Sequence, residues 1–183
     1  MNDVAQQKAQ MRKDAAKNRA ALCTDAAVRA ANSYLERALA PHKGKTVAGY
    51  MPMRSELSPL PALTEFAAHS VVAMPVVEGK GMPLVFRIWT PGGALEEGAY
   101  GAMIPADTQP ATPAVLIVPM LAYDGRGFRL GYGGGYYDRT IAALAPVTIG
   151  LAFAGQEVPE VPTNAYDMRL DMIVTEQGVT HNA

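Results

Sequence analysis

The chain has little thiol chemistry: Cys23 is the single cysteine in 183 residues, so no internal disulfide can form. That count fits a reducing compartment without requiring one. No stretch approaches the ~20 apolar residues needed to span a bilayer, and the N-terminus lacks the short apolar core of a secretory signal. The chain therefore reads as cytoplasmic, with no membrane contact. Charge is also modest, with charged residues at 18% and a formal net charge of −1. What asymmetry exists is at the N-terminal end, where residues 1–45 are net +5 against net −6 for the rest. That end suits an anionic ligand, but it is too sparse and too poor in aromatics for nucleic acid. His42, His69 and His181 lack metal-ligand spacing and receive no role. There is no internal repeat and no low-complexity linker.

Hydrophobic residues, at 49%, are ordinary for a globular protein, and the length suits a single domain across residues 1–183. From Val4 to about Leu39 there is no Gly or Pro, which predicts two helices or one bent helix. Cys23, in an alanine-rich part of that run, reads as a packed small hydrophobe rather than a nucleophile. Strands are expected at Thr46–Tyr50, Val71–Val77, Leu84–Trp89, Ala114–Val118, Val147–Phe153 and Met172–Thr175, with a short helix at Pro61–Ala68 and another at Tyr137–Leu144. The stretch from Pro91 through Pro113 has poor periodicity. Alternating strands and helices indicate an α/β layered domain, whose ligands bind beyond the carboxyl ends of strands.

One such position carries Arg129-Leu130-Gly131-Tyr132-Gly133-Gly134-Gly135-Tyr136-Tyr137-Asp138, directly before a predicted helix. Its glycines let backbone approach a ligand, and amides there can converge on an anion beside the helix N-terminus. Arg129 can neutralise phosphate, the tyrosines can stack on a ring or donate a hydroxyl, and Asp138 can hold a hard cation. The same residues also suit a plain strand-to-helix turn with packed tyrosines.

This segment, together with Val118-Pro119-Met120-Leu121-Ala122-Tyr123-Asp124, Gly127 and the following Arg139, resembles the 5-formyltetrahydrofolate cyclo-ligase (methenyltetrahydrofolate synthetase) family. Lys8 and Arg12, Glu56, and Tyr166-Asp167-Met168-Arg169-Leu170-Asp171 extend the resemblance over nearly the whole chain. It implies a three-layer α/β/α sandwich with a mostly parallel, Rossmann-like central sheet. It also implies closure of 5-formyltetrahydrofolate, polyglutamylated or not, to 5,10-methenyltetrahydrofolate, using ATP and Mg²⁺ and passing through an N5-iminium phosphate.

The resemblance assigns ATP to Lys8, Arg12, Arg129, Leu130, Gly131, Tyr132, Gly133, Gly134, Gly135, Tyr136 and Tyr137. Folate falls to Met51, Glu56 and residues 132–136, the metal to Asp138 and Asp167, and catalytic roles to Arg129 and Tyr136. Lys8 and Arg12, at i and i+4 of a helix, would reach one phosphate group, though the spacing equally describes a solvated face. Met51 and Trp89 have core packing as the alternative to lining the folate site, and Asp171 has a structural cap as the alternative to the metal. The chain departs from the family at Ile104, where many relatives have an acid, and at Tyr132 and Gly134, where some have Arg and Lys. A sugar-phosphate isomerase or acyl-CoA transferase using Glu56, and a non-catalytic nucleotide- or folate-binding module, are the other readings.

Overall fold

The computed structural model of the protein describes residues 2–182. The N-terminal run forms two helices, α1 (Asn2–Leu22) and α2 (Asp25–Leu39). Thr24 separates them: its backbone is extended, and its hydroxyl accepts the Ala27 amide at 3.2 Å, capping α2. Cys23 lies in this break and is exposed, so its expected packing is corrected: a residue between two helices has no buried face to join. On α2, Ala31, Leu35 and Leu39 recur at i, i+4, i+8 and are fully buried. Truncating either leucine to Ala would cost about 2–5 kcal/mol.

The central sheet has seven strands: β1 (Val47–Ala48), β2 (Val72–Val76), β3 (Val85–Trp89), β6 (Val115–Pro119), β9 (Val147–Leu151), β10 (Met172–Thr175) and β11 (Gly178–His181), in the order β11-β10-β9-β6-β1-β2-β3. The five middle strands run parallel, and β3 and β11 close the edges antiparallel, as the mostly parallel expectation requires. Alternate residues feed opposite faces. Val115 and Ile117 join Leu35, Leu39, Leu63 and Trp89 beneath α2 and α3 (Leu60–Phe66), whereas Leu116 and Val118 join Ile141 of α4 (Tyr136–Leu144). Helices thus cover both faces, giving the three layers.

The poorly periodic stretch holds a hairpin, β4 (Leu95–Glu97) with β5 (Met103–Pro105), and a second pairs β7 (Ala122–Tyr123) with β8 (Arg129–Leu130). Strands of two or three residues carry too few positions to display a period. Helix α1 lies on the second hairpin, with Ala15 and Met11 packed on Leu121, Ala122 and Leu130.

From β1 the chain crosses through α3 to β2, and from β6 through α4 to β9, so these neighbouring strands send their connections to opposite sides. A crevice forms at such a switch point, beyond the carboxyl ends of β1 and β6.

Candidate active site

Three segments meet at that crevice: the loop after β1, the glycine loop before α4, and one face of α1. The β1 loop starts at Gly49, where a Cβ would stand 2.2 Å from Leu63 Cδ1, so α3 can pack against bare backbone only. The Tyr50 hydroxyl donates to Leu57 O and folds the loop back, leaving Glu56 buried at its end. Met53 N–H donates to Glu56 Oε2 at 2.9 Å, and the Tyr132 hydroxyl donates to Oε1 at 3.0 Å. Burial raises the Glu56 pKa, against opposition from the Met53 amide and the Arg19 charge.

The β7–β8 hairpin aims the glycine loop. At its turn, buried Asp124 accepts the amides of Arg126, Phe128 and Val161 and the Arg126 guanidinium. Beyond β8, Gly133 (φ +97°) and Gly135 (φ +67°) take left-handed backbone that a side chain would strain, and Gly135 caps α4. Residues 132–134 are exposed, so the loop backbone is open to a ligand. Leu130, by contrast, is buried in the hairpin core, and its part in the site is limited to backbone.

Two guanidiniums flank this loop. Arg12 donates from Nε to Gly131 O at 2.8 Å and lies 3.2 Å from where a Gly133 Cβ would be. Arg139, on the first turns of α4, donates to Gly134 O and Met82 O, lies 2.7 Å from the Gly135 Cβ position and stacks over the Tyr136 ring at 5.3 Å. Among the described residues neither forms an ion pair. Composition and spacing give Arg139 no role; its placement, one residue beyond Asp138, is the only sequence signal for it.

The two carboxylates assigned to metal are each held by a cation. Lys8 meets both oxygens of Asp167 at 2.6 Å, and Arg129 meets Asp138 Oδ2 at 3.1 Å, while Met168 N–H donates to Asp138 Oδ1. Arg129 is buried, its Nε has no partner among the described residues, and its guanidinium lies 5.4 Å from the Tyr137 ring centre. Burial pushes the Tyr137 hydroxyl well above the ordinary tyrosine range. The Tyr136 hydroxyl pairs with that of Tyr100 at 2.8 Å, reaching across from the β4–β5 hairpin. The sequence does not single out Arg19 either, which reaches Tyr132 and Glu56 from α1. It follows Lys8 and Arg12 at helical spacing, a signal that the long polar run obscured.

Other candidates fall outside the cluster. Trp89 is buried beneath α2 and α3, and Met51 packs against the same core. Asp171 accepts Thr148 N–H at 2.7 Å and its hydroxyl at 2.8 Å, a structural link between β9 and the approach to β10. Ile104 is buried in the β4–β5 hairpin, close to Gly98. Among the described residues no group of three His, Cys, Asp or Glu could hold a metal by itself, and no helix is long and apolar enough to cross a membrane. A groove of about 530 Å³ runs along the other flank of α1, by Met11, Ala15 and Leu121, away from Glu56 and the glycine loop.

Fold and site together define a three-layer α/β/α protein with an open glycine loop, flanked by two guanidiniums, at its switch point. Residues 4–176 match the model of the 5-formyltetrahydrofolate cyclo-ligase family, and the chain belongs to that family. It is 32% identical over 148 residues to 5-formyltetrahydrofolate cyclo-ligase of Mycolicibacterium smegmatis, covering 72% of this chain and 74% of that one. Against the Escherichia coli K12 protein of the same name, identity is 40% over 68 residues, 36% of this chain and 37% of that one. Among solved structures, Aquifex aeolicus 5,10-methenyltetrahydrofolate synthetase superposes with a TM-score of 0.79 at 28% identity, over 95% of this chain and 92% of that one. The Mycoplasma pneumoniae 5,10-methenyltetrahydrofolate synthetase shares the fold, with a TM-score of 0.72 at 23% identity, over 92% and 98%.

Proposed function

We propose that this protein closes 5-formyltetrahydrofolate to 5,10-methenyltetrahydrofolate with ATP and Mg²⁺, releasing ADP and phosphate, in the cytoplasm. The observation that carries the reading is the pair Arg12 and Arg139: two guanidiniums without a carboxylate partner among the described residues, on either side of an open glycine loop at a helix N-terminus. Such a site suits a polyphosphate.

A formamide oxygen is a poor leaving group, so attack by N10 requires that oxygen to be activated. Its phosphorylation by ATP gives an N5-iminium phosphate, to whose carbon N10 adds as phosphate leaves. Phosphoryl transfer needs positioning and charge neutralisation more than a protein nucleophile, which fits a site rich in Arg and Lys. Lys8 and Arg12 hold the phosphates from α1, and the backbone of residues 130–135 approaches from the loop. Arg129, whose buried Nε–H lacks a partner, neutralises charge on the transferred group. Tyr136 donates its hydroxyl to the reacting substrate once Tyr100 releases it.

Asp138 and Asp167 suit Mg²⁺, because Asp138 takes one donor per oxygen, Asp167 Oδ1 takes only Lys8 among the described residues, and the metal favours one or two carboxylates with phosphate and water. Bound there, Mg²⁺ would supply charge neutralisation on the phosphate oxygens. Glu56 accepts the N–H donors of the pterin ring, and polyglutamylated forms present the same ring.

The test is phosphate release measured with and without 5-formyltetrahydrofolate, alongside the near-ultraviolet absorbance of the product. The two signals should rise together in the presence of Mg²⁺. ATP hydrolysis indifferent to the folate, or neither signal, would discard the reading.

A further inference from the structure

Arg19 heads the fully buried side chains by volume, at 2% exposure, and the proposed reaction gives it no role. A buried guanidinium is costly unless its N–H groups are met, and an apolar residue would fill the same space at less cost. Arg19 donates from Nη2 to the Tyr132 hydroxyl at 2.8 Å, from Nε to Ser55 Oγ at 3.1 Å and from Nη1 to Met120 O at 3.2 Å; Nη1 also lies 3.8 Å from Glu56 Oε1. Of these partners, Met120 alone belongs to the scaffold. The others are the loop of Glu56 and the glycine segment.

The hydrogen bonds have a forced direction. Arginine cannot accept, so the Tyr132 hydroxyl accepts from Arg19 and spends its one hydrogen on Glu56 Oε1. Met53 N–H donates to Oε2. Both oxygens of Glu56 are therefore met by donors, an arrangement satisfied by the carboxylate and left with no acceptor for a carboxylic proton. The charged and titratable groups around Glu56 are Arg19, Tyr132, Tyr50, Tyr137 and Arg54; burial favours the neutral acid, and the Arg19 charge opposes it.

We infer that Arg19 is a positioning residue for the folate: acting through Tyr132, it holds Glu56 as an oriented, ionised acceptor for the pterin N–H donors. The inference rests on the folate reading above. It makes the carboxylate that reads the pterin and the loop that holds phosphate one hydrogen-bonded unit.

The experiment compares pH profiles of kcat/KM for 5-formyltetrahydrofolate in the wild type, Arg19→Gln, Arg19→Lys and Tyr132→Phe, with melting curves for each. Arg19→Gln should raise the folate KM about tenfold and move the acidic limb up by about one pH unit, with kcat and the ATP KM within about twofold. Tyr132→Phe should shift both in the same direction by less, and Arg19→Lys should recover part of the loss. Folded variants that keep the wild-type limb and folate KM would overturn the inference, as would lowered melting with no movement of the limb. If Arg19→Gln does not fold, Tyr132→Phe decides on the same readouts. A wild type without folate-dependent turnover would instead overturn the reading beneath.

Discussion

Asp124 and Asp138 each meet an arginine, but on different terms. Asp124, in the hairpin turn, is 1% exposed and takes five donors: three backbone amides and two nitrogens of Arg126. Asp138, on the first turn of α4, takes one donor per oxygen, and its side chain remains 21% exposed. A carboxylate whose lone pairs are filled by its own chain fixes backbone; one with lone pairs and access left over can take a ligand. The same contrast separates Arg126, paired with Asp124 and Glu160, from Arg12 and Arg139, which among the described residues hold carbonyls and a ring but no carboxylate. The site is where donor and acceptor capacity is incompletely used, and the hairpin is what keeps it in place.

The contrast breaks most sharply at Asp138. Asp138→Asn keeps an acceptor for Met168 N–H and loses the charge, so turnover should fall about 10²–10³-fold, with more Mg²⁺ needed for half-maximal rate. A magnesium titration that superposes on the wild type would remove Asp138 from the metal site. Asp124→Asn should behave in the opposite way. Its new amide N–H₂ would face the Val161 amide and the guanidinium, costing about 3 kcal/mol of stability by chemical denaturation, while the magnesium titration of the folded enzyme stays in place.

The sign of the pH effect follows. Burial alone would raise the Asp124 pKa, but the Arg126 bond and the three amides outweigh it and hold the group below its ordinary 3.8. Its contribution is therefore present above the ordinary value and lost as pH falls through the depressed one. Asp124→Asn should flatten that acid limb, and an unchanged limb would show that another carboxylate produces it.

Next in size are the two guanidiniums that have no carboxylate partner among the described residues. Arg12→Gln and Arg139→Gln should each raise the ATP KM about tenfold and leave the folate KM near wild type, since neither contacts Glu56. An effect confined to folate would move the phosphate subsite elsewhere.

Much of this was legible in the sequence because it is local. Ala114 to Val118 is apolar on every residue, and Val115 to Val118 of it form a strand buried on both faces, with Ala114 exposed just before it; the glycine loop and Asp138 are contiguous, and their order carries the family. The β7–β8 and β4–β5 hairpins were not legible, because short strands have no period, and β11 pairs with β10 through a turn at Glu176 and Gln177 that leaves little apolar signal. Arg19 was hidden for another reason: whether a helix basic residue is solvated or buried depends on what packs against the helix, and that partner, Tyr132, comes from a distant segment. Lys8 and Arg12 share its helix face, yet they were recognised through the family rather than through their spacing.

Asp171 supplies the smallest effect and the finest test of the contrast. Like Asp138 it is a carboxylate near the chain's acidic C-terminal segment, and both were weighed as metal ligands. Its Oδ2 accepts the Thr148 amide and hydroxyl, and its own N–H donates to the Thr148 oxygen at 2.8 Å, so the pair closes on itself. An asparagine carbonyl in the same position keeps both accepted bonds, and the lost charge meets no cation in that pairing. Asp171→Asn should therefore cost less than about 1 kcal/mol and leave the magnesium titration unmoved, whereas Asp171→Ala, which strands the Thr148 amide, should cost about 1–3 kcal/mol. If Asp171→Asn instead reproduced the Asp138→Asn shift in magnesium requirement, a carboxylate satisfied by its own chain would be serving the metal, and the distinction drawn from Asp124 would fail.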